Sequence, residues 1–285
     1  SNLISSKMSF VVKGSVVVVT GGANGIGKAV CEHLANGGAS KVIVVDMNFE
    51  AARQVAESLP DKVGVAMRAN CGVEMDLRRV IVTAEFQFGG IDAVVANAGI
   101  PSNGGVEVPN DEWSRIWQVN VMQHVYIVRH WLPYLQARAR EEPGRKGALL
   151  VTASAAGLLT QVGSLPYSVT KHAAVSAAEW LAISYSNWLS VSCLCPQAVQ
   201  TGMIPKGTGG GVAGGDGVLT AAAVAAESIA ALQTGQFLVL PHKNVKKYFQ
   251  NKANDYDRWL KGMGKLHKGF GEMMLRAPNT SAAKL

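Results

Sequence analysis

The chain has 285 residues, 48% of them hydrophobic and 16% charged, enough apolar material for one large α/β domain or two small ones and too little charge for disorder. The net charge of +7 raises nucleic acid as a partner. Much of the excess lies in residues 243–268, however, and no RNA- or DNA-binding signature accompanies it, so a solvated basic face is expected. No apolar run reaches the ~20 residues that span a bilayer. Cys31, Cys71, Cys193 and Cys195 lack the second cysteine pair or spaced histidine pair of a zinc site. These features predict a soluble cytoplasmic protein with reduced thiols, no metal and no membrane partner. Residues 1–9 read as a short leader, with Met8 a candidate natural start.

In chain order, the β-branched run over 16–20 predicts a strand buried on both faces of a parallel sheet. It runs into Gly21-Gly22-Ala23-Asn24-Gly25-Ile26-Gly27 and an apolar-periodic helix over 26–34, stopped by Asn36-Gly37-Gly38. Glycines there let the chain turn tightly and let a pyrophosphate approach the helix N-terminus, where free N–H groups and the helix dipole favour anions. A second strand over 41–45 ends in Asp46, where an acid accepts hydrogen bonds from adenosine ribose hydroxyls. Its carboxylate repels a 2′-phosphate, and neither Asn24 nor Met47 supplies a cation, which favours NAD over NADP.

Alternation continues with a helix over 48–59, a third strand over 63–69 ending at Asn70-Cys71, and a helix over 73–88. A fourth strand over 93–96 opens into Asn97-Ala98-Gly99, followed by one long helix over 111–139 that carries Asn120 and His124 on an otherwise apolar face. Asn120 is either a core amide bonded to backbone or a relay point that positions water beside Lys171. A charged loop over 138–147 precedes strands over 148–152, 191–195 and 237–240. Strands and helices at this spacing predict one doubly wound Rossmann domain over 10–243, a seven-stranded parallel sheet with helices on both faces, and a helical extension over 244–285.

The chemistry centres on Tyr167-Ser168-Val169-Thr170-Lys171. In a helix, residues four apart share a face, so Tyr167 and Lys171 point the same way. A phenol with a pKa near ~10 is a poor base at neutral pH, and a neighbouring ammonium is expected to lower that value. Tyr167 then serves as general acid or base while Ser154 hydrogen-bonds the reacting oxygen.

With Thr20-Gly21-x-x-x-Gly25-x-Gly27, Asn97-Ala98-Gly99, Asn120, Ser154, Tyr167 and Lys171 in order, and Tyr167 thirteen positions after Ser154, the chain resembles the short-chain dehydrogenase/reductase family. The resemblance implies that Gly21, Asn24, Gly25, Ile26 and Gly27 line the cofactor phosphates, that Asp46 and Met47 border the adenosine ribose, and that Asn70 and Cys71 lie beside adenine. The family usually has an acid at the position of Asn70. It further implies that Asn97, Ala98 and Gly99 support the nicotinamide ribose and brace the sheet. Tyr167 would be the catalytic acid/base and Ser154 the carbonyl-polarising hydroxyl. Lys171 would bind the nicotinamide ribose and lower the phenol pKa, with Asn120 holding a relay water. Pro196, Val199 and Thr201 match the stretch that closes on the nicotinamide, although Gln197 stands where a glycine is usual.

An NAD-dependent oxidoreductase acting on a secondary alcohol or ketone is therefore expected. The alternatives are an NADPH-dependent 3-oxoacyl-type ketoreductase and a catalytically silent NAD-binding sensor. The resemblance also implies a homodimer or homotetramer. The glycine-rich stretch 202–217 corresponds to the family's substrate lid, with a disordered surface loop as the other reading. The lid is taken as 202–220. Residues 245–263 predict a single amphipathic helix that packs on its own subunit, covers the active-site mouth or meets a neighbouring subunit.

Overall fold

The computed structural model describes residues 10–202, 204 and 209–275, with side chains through residue 269. The predicted leader, part of the predicted lid and the last ten residues lie outside the described residues. The elements are β1 (Val16–Thr20), α1 (Gly25–Asn36), β2 (Lys41–Asp46), α2 (Phe49–Ser58), β3 (Gly64–Arg68), α3 (Glu74–Gln87), β4 (Ala93–Ala96), α4 (Asn110–Trp117), α5 (Gln123–Glu141) and β5 (Gly147–Thr152). They continue as α6 (Ala156–Leu159), α7 (Leu165–Ser184), β6 (Leu189–Leu194), β7 (Val199–Gln200), β8 (Leu219–Thr220), α8 (Ala221–Thr234), β9 (Leu238–Val239), α9 (Asn244–Asn254) and α10 (Tyr256–Leu275).

Seven strands form one parallel sheet in the order β3-β2-β1-β4-β5-β6-β9. Because side chains alternate along a strand, the two faces feed separate cores. Val16, Val18, Ile43, Val45 and Val94 pack with Leu77, Ile81, Ile127, Trp131, Val175 and Ala178 of α3, α5 and α7. Val17, Val19, Val42, Val44 and Val95 pack with Val30, Leu34, Val55, Ile229 and Leu232 of α1, α2 and α8. A sheet covered on both sides leaves no polar face, which is why its strands read as continuous β-branched runs.

The strand order reverses at β1. Chain leaving β1 runs outward to β2 and β3, then crosses back to β4 on β1's other side. Loops after β1 and β4 therefore diverge and open a crevice at their carboxyl ends.

Four features depart from the sequence expectation. The long helix is interrupted at Gln118–Met122 by one wide π-type turn, so α4 and α5 are separate segments. Helix α5 runs to Glu141, into the stretch expected to be a loop. The predicted single tail helix is two, because the Asp255 carboxylate accepts the Arg258 N–H at 3.0 Å and caps a new helix there. A small parallel pair, β7 with β8, brackets the glycine-rich stretch and was not foreseen. Among the described residues no helix is long and apolar enough to cross a membrane.

Close packing predicts where the frame is least tolerant. A Cβ on Gly64 would stand 2.1 Å from the carbonyl oxygen of Ala56 in α2. Gly64→Ala is therefore expected to cost about 1–3 kcal/mol, read as a loss of several degrees in Tm, whereas an unchanged melting curve would contradict this packing.

Candidate active site

The crevice is built first from backbone. Gly21 and Gly25 hold φ of +61° and +53°, a region that side chains other than glycine rarely adopt. A Cβ on Gly27 would meet the Gly21 carbonyl at 2.1 Å, so the turn closes only with glycine. Asn24 caps α1 by accepting the Gly25 N–H at 2.6 Å, and the first turn of α1 carries no acid. Free N–H groups and a positive helix end are thus presented without a competing carboxylate, as a pyrophosphate requires. Thr201 closes over this loop, since a Cβ on Gly25 would touch its methyl carbon at 2.9 Å. Ile26 packs partly buried beneath it. The residues present fit a dinucleotide.

Asp46, at the end of β2, accepts N–H bonds from Ala23 (3.2 Å) and Asn48 (3.0 Å), which fixes its carboxylate at the rim beside the exposed Met47. Arg68 stands opposite Asp46 in the β2–β3 register and is exposed, a cation that the sequence expectation overlooked. Asn70 turns its amide oxygen to the Gly72 N–H at 2.9 Å and donates its own N–H to the Asp76 carboxylate at 2.9 Å. The Cys71 thiol lies within the core, where burial pushes its pKa up to about 12.

The β4 side is tied to β1 by side chains. Thr20 Oγ1 accepts the N–H groups of Asn97 and Ala98 at 3.0 and 3.1 Å, and the Asn97 amide donates to the carbonyls of Thr20 and Gly21. Gln123 joins this buried cluster, receiving Thr20 Oγ1 at 3.2 Å and donating to the Ala98 carbonyl. Gly99 is next: a Cβ there would be 3.4 Å from Lys171 Nζ and 3.5 Å from Asn120 Oδ1.

The structure gathers the catalytic candidates above this crevice. Tyr167 and Lys171 share one face of α7, with Lys171 Nζ 5.6 Å from the phenol ring centroid. Lys171 is 4% exposed and donates to the Thr152 carbonyl at 3.0 Å. Burial lowers its pKa to about 8, against weaker opposing effects of Cys195 and Cys193. Ser154 follows β5, accepts the Ala156 N–H at 3.1 Å and donates to the Pro196 carbonyl at 3.4 Å.

One electrostatic expectation is corrected. The Tyr167 phenol is raised, chiefly by its own burial, and the opposing influence is a hydrogen bond with Ser154 rather than the ammonium. The Lys171 ammonium donates to the Thr152 carbonyl and stands 5.6 Å from the ring centroid.

Asn120 sits inside the wide turn, where its amide donates to the Ile100 carbonyl (3.0 Å) and Thr170 Oγ1 (3.3 Å) and accepts the Ile100 N–H (2.9 Å). The side chain is thus bonded to the Ile100 backbone and to the Thr170 hydroxyl, fully buried. Its carbonyl is met by His124 Nε2 at 3.1 Å. Burial, with Lys171 as the next cause, pushes the His124 pKa down to about 3, so the ring is neutral. Its position, four residues after Asn120, was the signal available in sequence. Pro196, Val199 and Thr201 form the far wall, Val199 being buried and paired with Leu219. Beyond Ser154, Leu158 and Leu159 are core residues, and Gln161 and Val162 are half-exposed. All four cysteines are free and buried, and no cluster of metal-ligating side chains occurs among the described residues.

Comparisons with known proteins agree with this architecture. The family model described as short chain dehydrogenase matches residues 15–208. The chain is 31% identical to 1-deoxy-11-beta-hydroxypentalenate dehydrogenase of Streptomyces exfoliatus, across 84% of this chain and 86% of that protein. It is likewise 31% identical to 3beta-hydroxysteroid dehydrogenase 2 of Eggerthella lenta, across 67% of this chain and 73% of the relative. A crystal structure of a short-chain dehydrogenase/reductase from Burkholderia phymatum in complex with NAD superposes with a TM-score of 0.76 at 24% identity, covering 87% of this chain and 96% of that one. Motif order, crevice and family match together place this chain in the short-chain dehydrogenase/reductase family.

Proposed function

We propose that the protein is an NAD-dependent oxidoreductase that interconverts a lipophilic secondary alcohol and its ketone. The observation that carries this reading is the convergence of Ser154, Tyr167 and Lys171 beside a glycine crevice that ends in Asp46. Nicotinamide, when bound, supplies the hydride acceptor or donor at C4. Tyr167 exchanges the proton with the substrate oxygen, Ser154 hydrogen-bonds that oxygen, and Lys171 binds ribose hydroxyls and passes the proton outward. Asn120 holds the wide turn against Ile100 and Thr170 and so sets the space beside Lys171. Gly21, Asn24, Gly25, Ile26 and Gly27 take the phosphates, Asp46 the adenosine ribose, and Asn97, Ala98 and Gly99 support the nicotinamide ribose. Pro196, Val199 and Thr201 border the carboxamide. The relatives' names, a hydroxysteroid and a hydroxypentalenate dehydrogenase, support a lipophilic substrate. A cytoplasmic homodimer or homotetramer is part of this reading, as is the assignment of 244–285 as an extension beyond the catalytic domain.

Tyr167→Phe removes only the hydroxyl that exchanges the proton. It is expected to lower turnover of a steroid-like or terpenoid secondary alcohol by about 10²–10⁴-fold while leaving NADH affinity within about twofold. Turnover equal to wild type, followed at the NADH absorbance, overturns the assignment.

Asp46 argues for NAD, whereas Arg68 opposite it favours an NADPH-dependent ketoreductase. Fluorescence titration is expected to give tighter NADH than NADPH binding. Asp46→Ala should weaken NADH by about tenfold, as expected for loss of a charge-assisted hydrogen bond, and improve NADPH. Tighter NADPH binding by the wild-type protein would decide for the second reading.

The pH dependence has a definite sign. Ketone reduction uses a protonated Tyr167, which its raised pKa provides at neutral pH, and a charged Lys171 to resupply the proton. That charge is lost as pH rises through about 8. Reductive kcat/KM should therefore fall above that pH, while oxidative kcat/KM, which needs proton acceptance, should rise. Flat profiles in both directions from pH 7 to about 9 would exclude Lys171 as the titrating group.

A further inference from the structure

The turn Pro196-Gln197-Ala198 joins the two halves of the site. At one end the Pro196 carbonyl accepts the Ala155 N–H at 2.9 Å and the Ser154 hydroxyl at 3.4 Å. At the other end the chain continues through β7 to Thr201, which rests on Gly25 of the phosphate loop. A glycine is absent here, and Gln197 occupies the position. What holds this turn in shape is a side chain from 45 residues away: the Gln197 N–H donates to His242 Nδ1 at 3.1 Å, and His242 Nε2 donates to the Ala198 carbonyl at 3.1 Å. His242 is 3% exposed. A backbone N–H only donates and a carbonyl only accepts, so these two partners select one tautomer, neutral, with its proton on Nε2.

The same side chain reaches the return leg of the glycine-rich stretch. The Ala198 carbonyl also accepts the Leu219 N–H at 3.1 Å, and the Ala198 N–H donates to the Ala213 carbonyl at 3.2 Å. Asp216 lies alongside, accepting from Asn244 Nδ2 at 2.8 Å, from the Tyr248 hydroxyl at 3.0 Å and from the Gln197 side chain. The acids that bear on His242 are Asp216 and Glu227.

We propose that His242 is a positioning residue: with its ring hydrogen-bonded across Gln197 and Ala198, it fixes the turn that faces the nicotinamide half of the cofactor. This rests on the proposed NAD-dependent function. Protonation would turn Nδ1 from an acceptor into a donor against the Gln197 N–H, so only the neutral ring spans Gln197 and Ala198. Burial moves the ring pKa below the ordinary histidine value, which keeps that neutral form in place at physiological pH.

The test compares NAD with ADP-ribose, which carries the phosphates and adenosine but no nicotinamide, by calorimetric titration of the full-length protein. His242→Ala is expected to weaken NAD about tenfold, the effect of losing two hydrogen bonds, and to leave ADP-ribose within about twofold. His242→Asn restores an acceptor near Nδ1 and His242→Gln a donor near Nε2, so each should recover part of the loss. Wild-type NAD affinity should also fall as pH drops below the ordinary histidine range, and this dependence should vanish in both amide variants, neither of which titrates. Equal NAD affinity in all variants, or equal losses of NAD and ADP-ribose, overturns the proposal. If the Ala variant fails to fold, the two amide variants and their pH profiles decide. A wild-type protein that binds ADP-ribose and NAD not at all overturns the proposed function instead.

Discussion

A positive charge buried in the core is the constraint around which this site is arranged. The Lys171 ammonium donates to the Thr152 carbonyl, and the groups that favour its charge are the Cys195 and Cys193 thiols, not a carboxylate. Removing an ammonium from water without a counter-ion is costly, and the group responds by titrating close to neutral pH. Its surroundings follow from that. His124, the next base in the same region, is driven neutral partly by Lys171, so only one of the two carries charge at neutral pH. Gly99 leaves the space between Lys171 and Asn120 that a side chain would take. Such a centre is ready to receive hydroxyl oxygens, which give an ammonium the acceptors that the protein withholds.

The crevice under that charge depends on the parting of β1 and β4. Parallel neighbours would ordinarily be joined at both ends by ladder bonds, yet here their loops must separate to leave room for a ligand. Thr20, Asn97 and Gln123 reconcile the two demands. Their side chains bond the N–H groups of Asn97 and Ala98 and the carbonyls of Thr20, Gly21 and Ala98 at the base of the opening. Buried polar side chains in an apolar sheet are costly unless bonded, and the mutual bonds of Thr20, Asn97 and Gln123 meet that cost here.

Much of this was legible in sequence because it is local. The run from Val16 to Thr20, the glycine turn and Asp46 at the end of the next strand are each set by residues within a few positions of one another. The four-residue interval from Tyr167 to Lys171 likewise needs only a helix to place both groups on one face. What was not legible depends on distant partners. Gln118–Met122 holds ordinary helix-compatible residues, and its wide turn is held by the Asn120 amide bonded to Ile100. The direction of the phenol shift was not legible either, because proximity along a helix does not reveal how deeply the fold buries the hydroxyl. By contrast, the break at Asp255 had a local signal: a capping residue within a polar interval between apolar positions.

The basic C-terminal segment then acquires a role that net charge alone conceals. Lys243, Lys246, Lys247, Arg258, Lys261 and Lys265 are exposed, as a solvated face requires. Lys252 is the exception: it is buried, donates to the Leu158 carbonyl at 2.7 Å and stands 5.4 Å from the Tyr256 ring centroid. Leu158 belongs to α6, the short helix that begins two residues after Ser154. A carbonyl at the end of so short a helix has no further turn to bond it, and the lysine from α9 supplies the donor. Tyr248 and Asn244 on the same helix hold Asp216. One tail helix thus braces both the segment that follows Ser154 and the return leg of the glycine-rich stretch, so the two are referenced to a single element.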